Sequence, residues 1–259
     1  MYLTLYQIDA FTDKIFQGNP AAVCPLKEWL EDSILLSIAQ ENNLAETAFY
    51  VKKDNSFHIR WFTPKTEVKL CGHATLATAY VLFNILGYPE NKIKFISASG
   101  NLGVNKDGEW LILDFPSNPP TICDLPAEIN QAFHTTPIEC LQSEDYLIVF
   151  NKEEEIANAY PDLEKLKKLD KRGFIITAPS SHYDFVSRFF APGLGIPEDP
   201  VTGSAHTELT PYWSQKLGKN KLSAKQISTR GGELKCELKN DRVLIAGKAV
   251  KYMEAAITI

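Results

Sequence analysis

The sequence predicts an α+β protein of two similar lobes, each a curved sheet wrapped around one central helix. Three observations predict it: a motif series that recurs at a near-constant offset, one apolar helix in each half, and short alternating strands elsewhere.

The repeat comes first. Arg60-Trp61-Phe62-Thr63-Pro64 precedes Gly72-His73-Ala74-Thr75, and Arg188-Phe189-Phe190-Ala191-Pro192 precedes Gly203-Ser204-Ala205-His206. The arginines lie 128 positions apart and the glycines 131, as a loop insertion in the second copy would produce. Upstream, Thr47 to Val51 matches Gly173 to Thr177. Downstream, Ser97 to Leu102 matches Ser228 to Leu234, and the strand Glu109 to Phe115 matches Arg242 to Ala246. One such pair arises by chance; a shared order of features at one offset marks a duplicated unit.

Along the chain, Leu3 to Ile8 and Ala21 to Cys24 read as strands, and Asp32 to Asn42 as an amphipathic helix. His58 to Phe62 is a strand. Ala74 to Leu86 is a helix apolar on nearly every face, stopped by Gly87 and Pro89, which should be buried by sheet all round. Pro116-Ser117-Asn118-Pro119-Pro120 is the joint, giving lobes 1–117 and 118–259, with the last strand free to pack back on the first lobe. Asp184 to Phe189 is a strand. Ala205 to Leu217 is the second central helix, bent at Pro211 and ended by Gly218.

Composition narrows the function. A length of 259 residues, 44% hydrophobic and 23% charged, suits a globular enzyme, and a net charge of −5 argues against a nucleic-acid partner. No stretch approaches the ~20 apolar residues of a membrane span, and the N-terminus does not read as a signal peptide. Five scattered cysteines without a Cys-x-x-Cys pair suggest neither a disulfide framework nor a zinc site, so a reducing cytoplasm is expected. No His/carboxylate motif suggests a metal, and the glycine pairs lack the context of dinucleotide loops.

Both central helices begin at matched turns, Gly72-His73 and Gly203-Ser204. Helix N-termini offer unpaired N–H groups and partial positive charge, so each suits a substrate carboxylate. A duplicated fold would aim both at one cleft between the lobes, where preorganised donors could stabilise charge that builds up during proton abstraction. Glu46 sits among Leu44, Ala45, Ala48 and Phe49, a setting able to desolvate its carboxyl.

The runs Asp9-Ala10-Phe11, Gly18-Asn19-Pro20-Ala21-Ala22-Val23, Asn43-Leu44-Ala45-Glu46-Thr47, Cys71-Gly72-His73-Ala74-Thr75 and Asp199-Pro200-Val201-Thr202-Gly203-Ser204-Ala205-His206 resemble the PhzF-type, phenazine-biosynthesis-like proteins. The resemblance covers nearly the whole chain in order. It implies the diaminopimelate-epimerase fold, two pseudo-symmetric lobes each with a helix inside a barrel-like sheet. It further implies a cofactor-independent isomerase acting on a small carboxylate, in a homodimer. Carried over by residue, it makes Glu46 the acid/base, His73, Asp199 and Ser204 its catalytic partners, and Asn19 a substrate-binding residue beside Gly72 and Gly203. A two-thiol racemase is a rival within the fold, with Cys71 at the first helix start. Its second thiol position holds Thr202, a poor acid or base near neutral pH. A binding protein that kept the fold and lost the chemistry is the rival outside catalysis.

Overall fold

The computed structural model describes residues 1–133 and 135–259. The chain forms two compact units, Met1–Asp114 with Ala246–Ile259, and Phe115–Ile245. The division falls just before the proline-rich joint, and the last strand (Ala249–Thr258) pairs antiparallel with the first.

In the first unit, β1 (Tyr2–Ala10), β2 (Asn19–Leu26), α1 (Asp32–Asn42), β3 (Glu46–Lys53), β4 (Ser56–Phe62), β5 (Glu67–Val68), α2 (Gly72–Tyr80), β6 (Lys92–Ser97), β7 (Gly100–Asp107) and β8 (Trp110–Pro116) follow in order. β1–β2, β3–β4 and β6–β7 pair antiparallel, β2–β3 and β4–β6 pair parallel, and β5 folds back on β4. A parallel step needs a crossover, which α1 supplies between β2 and β3. Its buried Leu35, Ile38 and Ala39 join Leu5, Ala22, Cys24, Phe49 and Phe62 in one core cluster. The helix stops at Asn43, which takes the left-handed conformation and donates its N–H to Ala39 O at 3.1 Å.

α2 is buried from His73 through Ala79, and its small side chains let β1, β2, β3 and the last strand approach closely. Two hydroxyls inside this core would be costly unpaired. Thr75 Oγ1 therefore donates to Cys71 O at 2.5 Å and Thr78 Oγ1 to Ala74 O at 2.8 Å. The expected single helix to Leu86 is corrected in its last turn. Residues Val81–Ile85 widen to a π-helix, in which Leu86 N–H reaches Val81 O. The widened turn sets Phe83 edge-on against Tyr88.

The second unit continues with β9 (Thr121–Ile122), α3 (Ala127–Ala132), β10 (Glu139–Gln142), β11 (Tyr146–Val149), α4 (Glu153–Ala157), α5 (Leu163–Leu166), β12 (Phe174–Pro179), β13 (Phe185–Ala191), β14 (Ile196–Asp199), α6 (His206–Leu217), β15 (Lys221–Gln226), β16 (Gly232–Lys239) and β17 (Arg242–Gly247), ahead of the last strand, β18. Its pairings reproduce the first unit: β10–β11 antiparallel, β11–β12 parallel, β12–β13 antiparallel, β13–β15 parallel, β15–β16 antiparallel, and β14 folded on β13. The repeat in the sequence is thus a repeat of topology. Ile129, Phe133, Ile148, Phe150, Phe174, Ile176 and Phe190 fill this unit's core.

Pro211 inside α6 removes the donor that would bond the carbonyl four residues back, at Thr207. That carbonyl instead accepts the N–H of Asn118 at 3.0 Å. The helix defect is therefore satisfied by the joint, whose Ser117 N–H likewise donates to Asp241 O at 2.8 Å.

Candidate active site

In the first unit, Glu46 opens β3 directly after the left-handed turn at Asn43. Asn42 Nδ2 donates to Thr47 Oγ1 at 3.0 Å and fastens this corner. β2 runs parallel beside it in the register Ala21 to Glu46, so the buried Asn19 lies at the same end of the sheet as Glu46. Gly18 explains how the chain reaches that position. Its φ is +67°, and an added Cβ would stand 2.2 Å from the Ala10 carbonyl oxygen and 2.7 Å from Thr12 Cγ2. No other residue type meets both the left-handed backbone and this contact without displacement.

His73 occupies the first turn of α2, with Cys71 as its N-cap residue in extended conformation. Its Nε2 stands 3.2 Å from Glu46 Oε2, and its Nδ1 stands 3.5 Å from Cys71 Sγ. The Glu46 and His73 side chains keep only 14% and 8% of their surface exposed. Burial pushes the imidazole down to about 4, so His73 is neutral at neutral pH. A neutral imidazole has one donor and one acceptor. The Nε2–Oε2 approach lies within ion-pair distance without hydrogen-bond geometry. A proton on Nε2 would set a donor dipole towards the Glu46 carboxylate and leave Nδ1 to accept from the Cys71 thiol.

One oxygen of Glu46, one sulfur of Cys71 and one nitrogen of His73 lie within 4.8 Å of one another. Such a mixed donor set could hold a soft divalent cation. Nothing in the sequence marks it, because Glu46 and Cys71 lie on different elements and no spacing rule links them.

In the second unit, Asp199 ends β14 and Gly203 and Ser204 precede α6. The second central helix, expected over Ala205 to Leu217, is α6: residues 203–205 form a tight turn in which His206 N–H donates to Gly203 O and Thr207 N–H to Ser204 O, and the regular helix begins at His206. Thr202 Oγ1 donates to Asp199 Oδ2. Thr202 N–H donates to Gln226 Oε1 at 2.8 Å, while Gln226 Nε2 donates to Asp199 O at 2.7 Å. Gln226 is fully buried and was not among the sequence-based candidates. A lone Gln at a strand end carries no motif, and only its packing reveals its role. His206, left out of the catalytic set, is buried, is pushed down to about 4 by burial, and has Nδ1 2.8 Å from Thr202 O.

The site thus belongs to a twice-used α+β unit, with a mostly buried carboxylate and a neutral imidazole together beside the start of the first central helix. The match to known sequences makes this specific. The profile of the PhzC–PhzF family, described as phenazine biosynthesis-like protein, matches residues 8–255, and the chain belongs to that family. An uncharacterized isomerase of Pseudomonas aeruginosa is 51% identical over 257 residues, covering 99% of each chain. The crystal structure of a PhzF-family phenazine biosynthesis protein of Enterococcus faecalis superposes with a TM-score of 0.98 at 46% identity, covering all of both chains. A predicted epimerase of P. aeruginosa shares the fold alone, at a TM-score of 0.75 and 20% identity, with 99% of each chain covered.

Proposed function

We propose that this protein is a cofactor-independent isomerase that moves a proton between carbons of a small carboxylate-bearing substrate, with Glu46 as the acid/base. The observation that carries the reading is the Glu46–His73 pair, a mostly buried carboxylate 3.2 Å from an imidazole that burial keeps neutral. A neutral partner orients the carboxylate without cancelling its charge, so Glu46 stays available as a base. Proton abstraction beside a substrate carboxylate sends charge into that carboxylate. The N–H groups of the first turn of α2, at Gly72 and His73, are donors suited to hold it. Glu46 then returns the proton to a second carbon, shifting a double bond or inverting a centre.

Asp199, Ser204 and Gly203 enter this reading through the family resemblance. Thr202 holds the Asp199 carboxylate through its hydroxyl, and Gln226 fixes the backbone beneath it by donating to the Asp199 carbonyl. The two-thiol alternative is disfavoured, because the counterpart of Cys71 is Thr202 and its hydroxyl is given to Asp199.

The test is solvent-deuterium incorporation in D2O across a panel of small amino, hydroxy and cyclic-diene carboxylates, read by mass spectrometry. Label entering a compound with the wild type but not with Glu46→Gln is the expected result. Equal incorporation by Glu46→Gln ends the assignment of Glu46. Tight binding of a panel member by both proteins, without label or turnover, favours a binding protein on this fold.

A further inference from the structure

Cys123 and Cys140 face each other in the second unit, with their sulfurs 3.6 Å apart. β9 and β10 are antiparallel with Ile122 opposite Leu141 and Thr121 opposite Gln142, so the next pair in register is Cys123 and Cys140. Cys123 N–H donates to Cys140 O at 3.0 Å, which continues the ladder to that pair. Directly opposed residues of an antiparallel ladder have Cα atoms about 4.5–5.5 Å apart, inside the range a disulfide spans. The backbone therefore already supplies the separation that a cross-link requires.

The two thiols differ in what they can do. Cys140 is buried, and burial together with the neighbouring Cys123 sulfur pushes it up to about 12. Cys123 is the one cysteine of the five that is not buried. Cys24 and Cys236 are both buried, and burial pushes each of them up to about 12. An oxidant arriving from solvent meets Cys123 first, and the resolving sulfur is already in van der Waals reach.

We infer that Cys123 and Cys140 form a reversible, peroxide-sensitive thiol pair that closes into an intrachain disulfide. The Cys123 thiolate attacks one oxygen of hydrogen peroxide, the O–O bond breaks, and hydroxide leaves. The sulfur is oxidised by two electrons to a sulfenic acid and the peroxide is reduced. Cys140 sulfur then attacks Cys123 sulfur. The S–S bond forms, the S–O bond breaks, and the departing hydroxide takes the Cys140 proton as water. Two thiols and one peroxide thus give one disulfide and two waters, and a dithiol reductant reverses the change. The bond would staple the short β9, which follows the proline-rich joint, to β10.

The full-length protein is treated with a slight excess of hydrogen peroxide, its remaining thiols are alkylated, and it is analysed by intact mass and non-reducing peptide mapping. The expected result is two fewer alkyl groups than in the reduced, denatured control, one linked peptide pair carrying Cys123 and Cys140, full reversal by dithiothreitol, and a melting temperature raised by a few degrees. Cys140→Ser should accumulate a dimedone-trappable sulfenic acid at Cys123, whereas Cys123→Ser should leave Cys140 unoxidised. Matched melting curves of both reduced variants and wild type establish that the fold is intact. The inference is overturned if wild-type Cys123 proceeds to sulfinic acid, if it links two chains, or if both thiols stay alkylatable after treatment.

Discussion

Arg188 grips Glu198 with two nitrogens, Nε to Oε1 at 2.6 Å and Nη2 to Oε2 at 3.0 Å. Arg60 holds Glu67 in the same way at the matching place of the first unit, with both bonds at 2.7 Å. Each guanidinium also lies 5.1 Å from the ring two residues on, Phe62 or Phe190. Two copies of one clamp thus tie the hairpins β4–β5 and β13–β14, and the repeated Arg-x-Phe spelling in the sequence has a structural purpose.

The two clamps should differ in worth. Arg188 is 10% exposed in its side chain and also donates Nη1 to the carbonyls of Ile156 and Ala159, while Arg60 is 24% exposed. Arg188→Ala strands a carboxylate and two carbonyls, and should cost about 3 kcal/mol. Arg60→Ala should cost about 1 kcal/mol, as solvent already screens its partners. Urea unfolding of both variants checks the ranking, and equal losses would contradict it. Arg188→Lys should rescue little, because a single ammonium cannot reproduce the fork.

Gly18 makes a second prediction. A methyl group there meets a backbone oxygen, which cannot swing aside as a side chain would. Gly18→Ala should destabilise by roughly 2–4 kcal/mol, from left-handed strain plus overpacking. Because Asn19 follows it, the folded fraction should also bind ligand more weakly. Thermal melts and ligand titration read the two effects separately, and an unchanged melt would refute the contact.

His73 should remain neutral well below the usual titration range of an imidazole, as its pKa is pushed down to about 4 by burial. Nitrogen-15 NMR of labelled protein should find the ring uncharged at pH 6, and a midpoint between 6 and 7 would overturn this. The sign for stability follows directly. The folded value lies below the unfolded one, so this contribution is complete above about pH 6.5 and is lost as pH falls towards 4. Cys71→Ala removes the partner 3.5 Å from Nδ1 and should lower kcat about tenfold with KM little changed, the scale of one positioning hydrogen bond. Cys71→Ser should restore most of the loss.

Glu208 predicts the opposite end of the pH scale. Its carboxyl is buried in α6, with Oε1 accepting the N–H of Asp145 at 3.1 Å and Oε2 without a hydrogen-bond partner among the described residues. Burial first, and then the Asp145 carboxylate, push it up to about 8. Here the folded value exceeds the unfolded one for an acid, so folding takes up a proton. Stability should fall as pH rises from about 4.5 to 8, then level off. Glu208→Gln should flatten that slope and raise the melting temperature at pH 9 relative to wild type. A parallel slope in the variant would assign the effect elsewhere.

The sequence by itself determined the duplicated α+β plan, because hydrophobic periodicity and turn residues act within a few positions and both copies spell them alike. It placed α1 at Asp32–Asn42, and the resemblance carried by its motifs pointed to Glu46, His73, Asp199 and Ser204. Only the tertiary structure decided what those residues touch. Glu46 and His73 lie 27 positions apart on β3 and α2, and no periodicity links a strand start to a helix start. The neutral state of His73, the Gln226 support beneath Asp199 and the Asn118 N–H that answers Pro211 are likewise long-range outcomes of packing. Local propensity is written residue by residue. Desolvation and hydrogen-bond partners exist only once distant segments have met.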